Sequence, residues 1–304
     1  MIKILLFIVI FFCAQITIAQ TFKLPDANSN DTIVGKAIEI KSRPGDTLRL
    51  IGRRYDMGTV EMQHANQTVN PDMRLLPGTR IIIPSMFILP DRKDWKGIYV
   101  NLNSYRLFYF PEGMNIVITH PIGIGKEGMN TPVFNGTITK KVQDPWWYVP
   151  QSVSERTLKN NGIQLPKVMK PEPDNPLGQY KIYTSHPSYL LHGTNRPLMV
   201  GAQVSSGCLR MLPEDIEQIY TLVPIGTPIS VHYLPSAVGI FNNHLYLQSF
   251  PPLKGDPSGY GSSITPDINQ ILLFSKRYGY TVRWDIVSQV LEKKGSIPNR
   301  ISID

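Results

Sequence analysis

The chain has 304 residues, with 31 Lys and Arg against 23 Asp and Glu, and a net charge of +8. A hydrophobic fraction of 42% with 18% charged residues describes a chain that builds a core and excludes a disordered one. The length allows two domains, and the positive balance favours anionic partners; for an exported chain these are cell wall and membrane surfaces rather than nucleic acid.

Lys3, the apolar run from Ile4 to Phe12, and the small residues Thr17 and Ala19 read as a secretory signal over residues 1–19, cleaved after Ala19. Bulky Phe11 and Phe12 before Cys13 argue against lipidation there. That run is short for a bilayer span, and no later segment is continuously apolar for long enough, so no transmembrane span is expected.

Residues 20–36 are polar and irregular and read as a linker. A compact unit over 37–84 follows. Ala37 to Lys41 forms a short strand, and Pro44-Gly45 a turn. Asp46 or Thr47 then caps a helix carrying Leu48, Ile51 and Tyr55 at helical spacing. A second helix runs from near Thr59 to Asn66, and Leu76-Pro77-Gly78 turns into a strand from Arg80 to Ile83.

A second unit over 96–233 reads mainly as β. Ile98 to Leu102 and Tyr105 to Phe110 make a hairpin signal. Further strands are expected over Asn115 to Ile124, Gly136 to Lys140, Gln179 to Tyr183, Tyr189 to His192 and Pro228 to Val231, with one amphipathic helix over Asp215 to Leu222. Short strands with a single helix suggest a β-sandwich or barrel. The excursion from Asp144 to Pro176 carries a helix over Ser152 to Asn161, and Trp146 and Trp147 are expected to be buried aromatics rather than ligand contacts. Residues 236–304 hold one strand, His244 to Phe250, and one helix, Asp267 to Tyr278. They are expected to form an appendage packed on the second unit.

Once residues 1–19 are removed, Cys208 is the chain's only cysteine, so no internal disulfide can form. A lone thiol needs a base to become a nucleophile, and His192 at a strand end is the nearest upstream histidine with a loop long enough to bring it back. In that reading Gly207 permits a sharp turn and its N–H joins that of Cys208 in facing an oxyanion. The Ser206 or Ser205 carbonyl, or a hydroxyl, orients the ring, and Arg210 grips a carboxylate. The residues alone leave open that Cys208 is a small buried hydrophobe and His192 a core histidine. His64, His120, His232 and His244 are scattered and read as structural. No compact ligand cluster accompanies His186, His192 and Cys208, so neither a metal nor any other cofactor is expected.

Two sets of motifs carry resemblances. Pro44-Gly45-Asp46-Thr47-Leu48, Ile51, Tyr55, Asn66, Pro77-Gly78 and Ile83-Pro84 resemble a LysM module, which implies binding of N-acetylglucosamine-containing glycans through loops around Gly45, Asp46, Thr47 and Asn66. His192-Gly193-Thr194-Asn195 and Ser205-Ser206-Gly207-Cys208-Leu209-Arg210-Met211 are similar to the signature of the L,D-transpeptidase (YkuD) family. Asp174 to Gly178, Pro213-Glu214-Asp215 and Val223 to Pro228 match that family too. Many members carry His where this chain has Ser206, and their Thr-Pro-x-Gly turn is replaced here by Thr131-Pro132-Val133-Phe134-Asn135-Gly136.

The resemblance implies a mainly β, sandwich-like catalytic domain beside a small βααβ LysM domain. It implies Cys208 as nucleophile, His192 as proton donor and acceptor, and Gly193, Thr194, Asn195 and Arg210 around the substrate. The implied reaction cuts the diaminopimelate–D-alanine bond of peptidoglycan tetrapeptide stems in the periplasm. The acyl group passes to a second stem in a 3–3 cross-link, or to an outer-membrane protein. An L,D-carboxypeptidase or hydrolase, and a non-catalytic wall-binding protein, are the alternatives.

Overall fold

A computed structural model of the chain describes residues 20–255 and 263–303. The expected secretory signal lies outside the described residues.

The strands of the second unit join one curled nine-stranded sheet. Its order is Gln20–Lys23, Ile116–Pro121, Arg106–Phe110, Gly97–Asn101, Pro228–His232, Phe134–Gln143, Tyr180–Thr184, Leu190–His192 and Leu209–Arg210. The expected hairpin is there, with Gly97–Asn101 paired antiparallel to Arg106–Phe110. All ten of its residues are buried, because the sheet is covered on both faces. Successive side chains alternate between the faces, so the hairpin feeds two cores. Ile98, Val100, Leu107 and Tyr109 pack with Ile216 and Ile219 of helix Pro213–Leu222. Tyr99, Phe108 and Phe110 pack with Leu48, Ile51, Met62, Ile81 and Ile83 of the small unit.

That unit keeps the expected strand–helix–helix–strand order: Ile38–Lys41, Leu48–Arg54, Thr59–Ala65 and Arg80–Ile83. Thr47 caps the first helix by accepting a hydrogen bond from the Leu50 N–H at 3.2 Å. Far from being loosely tethered, the unit forms a second layer on the sheet. Arg106, 1% exposed, reaches across the boundary to Glu61.

Three expectations are corrected. Residues 20–36 are not a linker. Gln20–Lys23 adds an edge strand to the sheet in register Gln20↔Thr119, and Ile33–Gly35 pairs with Met86–Ile88. The cause is burial of Phe22, Ile33 and Val34, hidden in a polar stretch. The Asn115–Ile124 strand breaks after Pro121, and Ile124–Gly125 pairs instead with Gln203–Ser205. Trp146 is 49% exposed rather than buried.

The C-terminal segment holds more than one strand and one helix. Ser236–Phe241, His244–Ser249 and Asn299–Arg300 form a sheet, backed by helices Thr265–Tyr278 and Trp284–Lys293. It does not rest on the second unit alone. The Thr32 N–H donates to the Ile240 carbonyl at 2.8 Å, and the Ile240 N–H donates to Thr32 Oγ1 at 3.0 Å. No helix among the described residues is long and apolar enough to cross a membrane.

Candidate active site

The strands that carry His192 and Cys208 are neighbours. Leu190–His192 pairs parallel to Leu209–Arg210, in register Leu191↔Leu209 and His192↔Arg210. Side chains of directly paired residues point to the same face, and the face alternates along each strand. Leu191 and Leu209 go into the core. His192 and Arg210 therefore share the other face, and Cys208, two residues before Arg210, joins them there. Cys208 is partly exposed, while His192 is 4% exposed.

The imidazole is held by its own neighbour. His192 Nδ1 lies 2.7 Å from the Gly193 carbonyl oxygen. A carbonyl only accepts, so Nδ1 carries the proton and Nε2 the lone pair. The expected orienting group was the Ser206 or Ser205 carbonyl, or a hydroxyl; the carbonyl found at Nδ1 is that of Gly193. Ser206 instead faces solvent and accepts from Arg156 Nη2 at 3.3 Å, which ties helix Gln151–Asn161 to the thiol loop. A side chain at Gly193 would be tight, since a Cβ would stand 3.2 Å from Ile216 and 3.3 Å from the Leu177 carbonyl, and these neighbours would have to give by a few tenths of an ångström.

Charge and burial set the resting protonation. Burial, then the positive charge of Arg210, push His192 down to about 3, against which the Gly193 and Leu177 carbonyls work weakly. Burial pushes the Cys208 thiol up, and the Leu190 N–H, Lys181 and Arg210 only partly reverse this. At rest Cys208 is thus a neutral thiol and His192 a neutral imidazole. Cys208 Sγ lies 3.7 Å from the Ser188 carbonyl, an acceptor for its proton.

The loop around the thiol is tightly specified. Gly207 has φ +109°, and a Cβ there would come within 2.9 Å of the Tyr189 ring. Its carbonyl accepts from Thr131 Oγ1 at 2.8 Å, and its N–H donates to Ser205 Oγ at 3.1 Å. The Gly207 N–H expected to face an oxyanion is therefore already engaged. Ser205 Oγ also donates to the Cys208 carbonyl at 2.6 Å. The remaining predicted substrate residues divide. Arg210 Nε is buried without a hydrogen-bond partner among the described residues. Thr194, buried, accepts from the Arg196 N–H at 3.0 Å, and Asn195 donates to the Asp174 carbonyl at 2.8 Å, so both shape the loop.

The chain between His192 and Cys208 is anchored to the small unit. The Thr59 and Val60 N–H groups donate to the Val200 and Gly201 carbonyls at 3.1 and 3.0 Å, and Arg49 Nη1 donates to the Leu198 carbonyl at 3.2 Å. Three of the four expected glycan contacts are committed inside that unit. Asp46 pairs with Arg54, Thr47 is the helix cap, and Asn66 exchanges hydrogen bonds with Ile82 at 2.8 and 2.9 Å. Gly45 alone faces open space.

Sequence reasoning missed Gly193 as orienter, Thr131, Tyr189 and Arg156. Only Thr131 had a signal, the Thr-Pro turn. It also missed a buried trio, Asp56, His120 and Asp215, whose ligand-type atoms lie within 4.8 Å of one another, the one such set among the described residues. His120 Nδ1 is 3.3 Å from an oxygen of each carboxylate, and a protonated ring between them accounts for the closeness.

Comparison with known proteins adds relatives along most of the chain. The family model described as the L,D-transpeptidase catalytic domain matches residues 96–231, and the LysM domain model matches residues 43–84. The chain is similar to the probable L,D-transpeptidase ErfK/SrfK of Salmonella typhimurium, 31% identical over 300 residues, covering 95% of this chain and 93% of that one. It is 37% identical over 228 residues to the probable L,D-transpeptidase YbiS of Escherichia coli, covering 73% and 72%.

Proposed function

The chain belongs to the L,D-transpeptidase family of acyltransferases, and from that membership we propose that Cys208 is its nucleophile, acting on peptidoglycan tetrapeptide stems. The observation that carries the reading is the parallel pairing of Leu190–His192 with Leu209–Arg210, which leaves His192, Arg210 and Cys208 on one face beside Leu191 and Leu209 in the core.

His192 Nε2 takes the thiol proton as Sγ attacks the carbonyl carbon of the diaminopimelate–D-alanine bond. Negative charge gathers on that oxygen, and with the Gly207 N–H engaged, the Cys208 N–H is the loop's donor to it. The protonated imidazole, held by Gly193, returns the proton to the departing D-alanine nitrogen and leaves a thioester. An acceptor amine then attacks, gives its proton to Nε2, and restores the thiol. Arg210, with its unpaired Nε, takes a carboxylate of the stem peptide.

The acceptor is an amine: a second diaminopimelate in a 3–3 cross-link, or an outer-membrane protein. Water in that place gives the L,D-carboxypeptidase. We assign residues 1–19 to a periplasmic signal peptide, 37–84 to a LysM module that binds glycan strands, 96–233 to the catalytic domain and 236–304 to a C-terminal appendage. The test is D-alanine release from tetrapeptide muropeptides by wild type and by Cys208→Ala. Loss of release in the variant supports the reading, and release at the wild-type rate refutes it.

A further inference from the structure

We infer that a cavity of about 270 Å³, where the small unit, the sheet and the C-terminal segment meet, binds a single uncharged sugar ring through Asn103. This site is separate from Cys208 and does not rest on the transpeptidase reading.

Asn103 sits in the turn after Gly97–Asn101 and is 1% exposed. Its backbone N–H donates to Asn101 Oδ1 at 3.2 Å, but its side-chain Nδ2 and Oδ1 have no hydrogen-bond partner among the described residues. His232 Nε2 is likewise buried and unpartnered, and both side chains line the same cavity. An unpaired buried polar group is costly, and here one amide presents a donor and an acceptor together. A ligand that satisfies both must itself donate and accept from adjacent atoms, as neighbouring hydroxyls of a sugar do.

Charge narrows the class. Among the described residues, the only Lys or Arg lining the cavity is Arg106, already forked onto Glu61. Burial lowers His232, opposed weakly by Asp94, so its ring is neutral. Asp91 and Asp94 stand at the wall. Among the described residues no unpaired Lys or Arg lines the cavity to receive a carboxylate or phosphate, which disfavours anions and amino acids. Leu89, Leu234 and Phe250 offer an apolar wall for the C–H face of a ring. The volume lies just below the usual range for ligand pockets of about 300–1,000 Å³, enough for one ring rather than a glycan strand.

The test follows the Asn103 side-chain amide by ¹⁵N NMR in the purified full chain, with glucose and N-acetylglucosamine as probes. The expected result is a saturating shift of that resonance, with a Kd of about 1 mM, as befits so small a ligand. In Asn103→Leu, a near-isosteric apolar change, probe-induced shifts in the other cavity residues disappear. The inference is overturned if the wild-type Asn103 amide stays fixed under both sugars. Shifts confined to the outer surface of residues 43–84, equal in wild type and variant, overturn it too. The wild-type titration decides alone if the variant does not fold.

Discussion

Arg106 donates from Nε to Glu61 Oε1 at 2.6 Å and from Nη2 to Glu61 Oε2 at 2.9 Å, a fork that joins the catalytic sheet to the small unit. Arg106 is fully buried, its Nη2 also donates to the Asp56 carbonyl at 2.9 Å, and its guanidinium lies 4.4 Å from the centre of the Phe87 ring. Removing one partner leaves a buried charge without its counterion, which costs about 3–5 kcal/mol. Glu61→Ala should lower the stability of the chain by that amount in chemical denaturation. A loss below about 1 kcal/mol would show that solvent reaches the guanidinium.

His120 joins the sheet to the small unit in a second way and adds helix Pro213–Leu222, its Nδ1 lying 3.3 Å from both Asp56 and Asp215. Burial pushes its ring down, but Asp215 and then Asp56 more than reverse this and carry it up to about 10. A folded-state pKa above the unfolded 6.5 adds stability that is complete below 6.5 and is lost as pH rises through 10. Stability should therefore fall between about pH 6.5 and pH 10, and His120→Gln should flatten that slope. Denaturant midpoints measured across the window check this; an unchanged slope in the variant contradicts it.

The thiol is predicted to react as an unactivated one in the absence of substrate. Burial holds Cys208 above its ordinary 9.0 and His192 at about 3, so no thiolate–imidazolium pair forms at neutral pH. Iodoacetamide alkylation should climb with pH past 9 without an earlier plateau. A plateau reached by about pH 7 would mark a preformed ion pair of the kind found in papain-like sites.

Gly207→Ala tests the loop. At φ +109° an alanine is strained, and its Cβ meets the Tyr189 ring. A cost of about 1–3 kcal/mol is expected from the backbone alone. Acyl transfer should fall further than stability, because the loop carries Cys208. Tyr189→Ala in the same chain should relieve the contact but not the backbone strain, so activity should recover only in part. Full recovery contradicts the backbone argument.

The small unit was legible because its signals are local. Pro44-Gly45, the Thr47 cap and the Leu76-Pro77-Gly78 turn each act within a few residues. The hairpin at 97–110 and the helix at Pro213 were legible for the same reason. Gln20–Lys23 was not, since its partner strand lies nearly a hundred residues on and its own composition is polar. The hairpin Ser236–Phe241 and His244–Ser249 had a usable sign in Asn242 and Asn243, both at positive φ, the pattern of a two-residue turn. In the site, Cys208 and His192 stand out by side-chain chemistry. The Gly193 carbonyl does not, because every residue has one and only the fold selects it. The Asp56, His120 and Asp215 trio comes from three separate elements, so no spacing could announce it.

The central claim is that Cys208 carries the acyl group. Its most direct test is mass spectrometry of the protein mixed with a tetrapeptide stem and quenched in acid. The account predicts a mass increase equal to the stem less D-alanine, mapped to the peptide containing Cys208 and released by hydroxylamine. An unmodified Cys208 peptide during active turnover would contradict it.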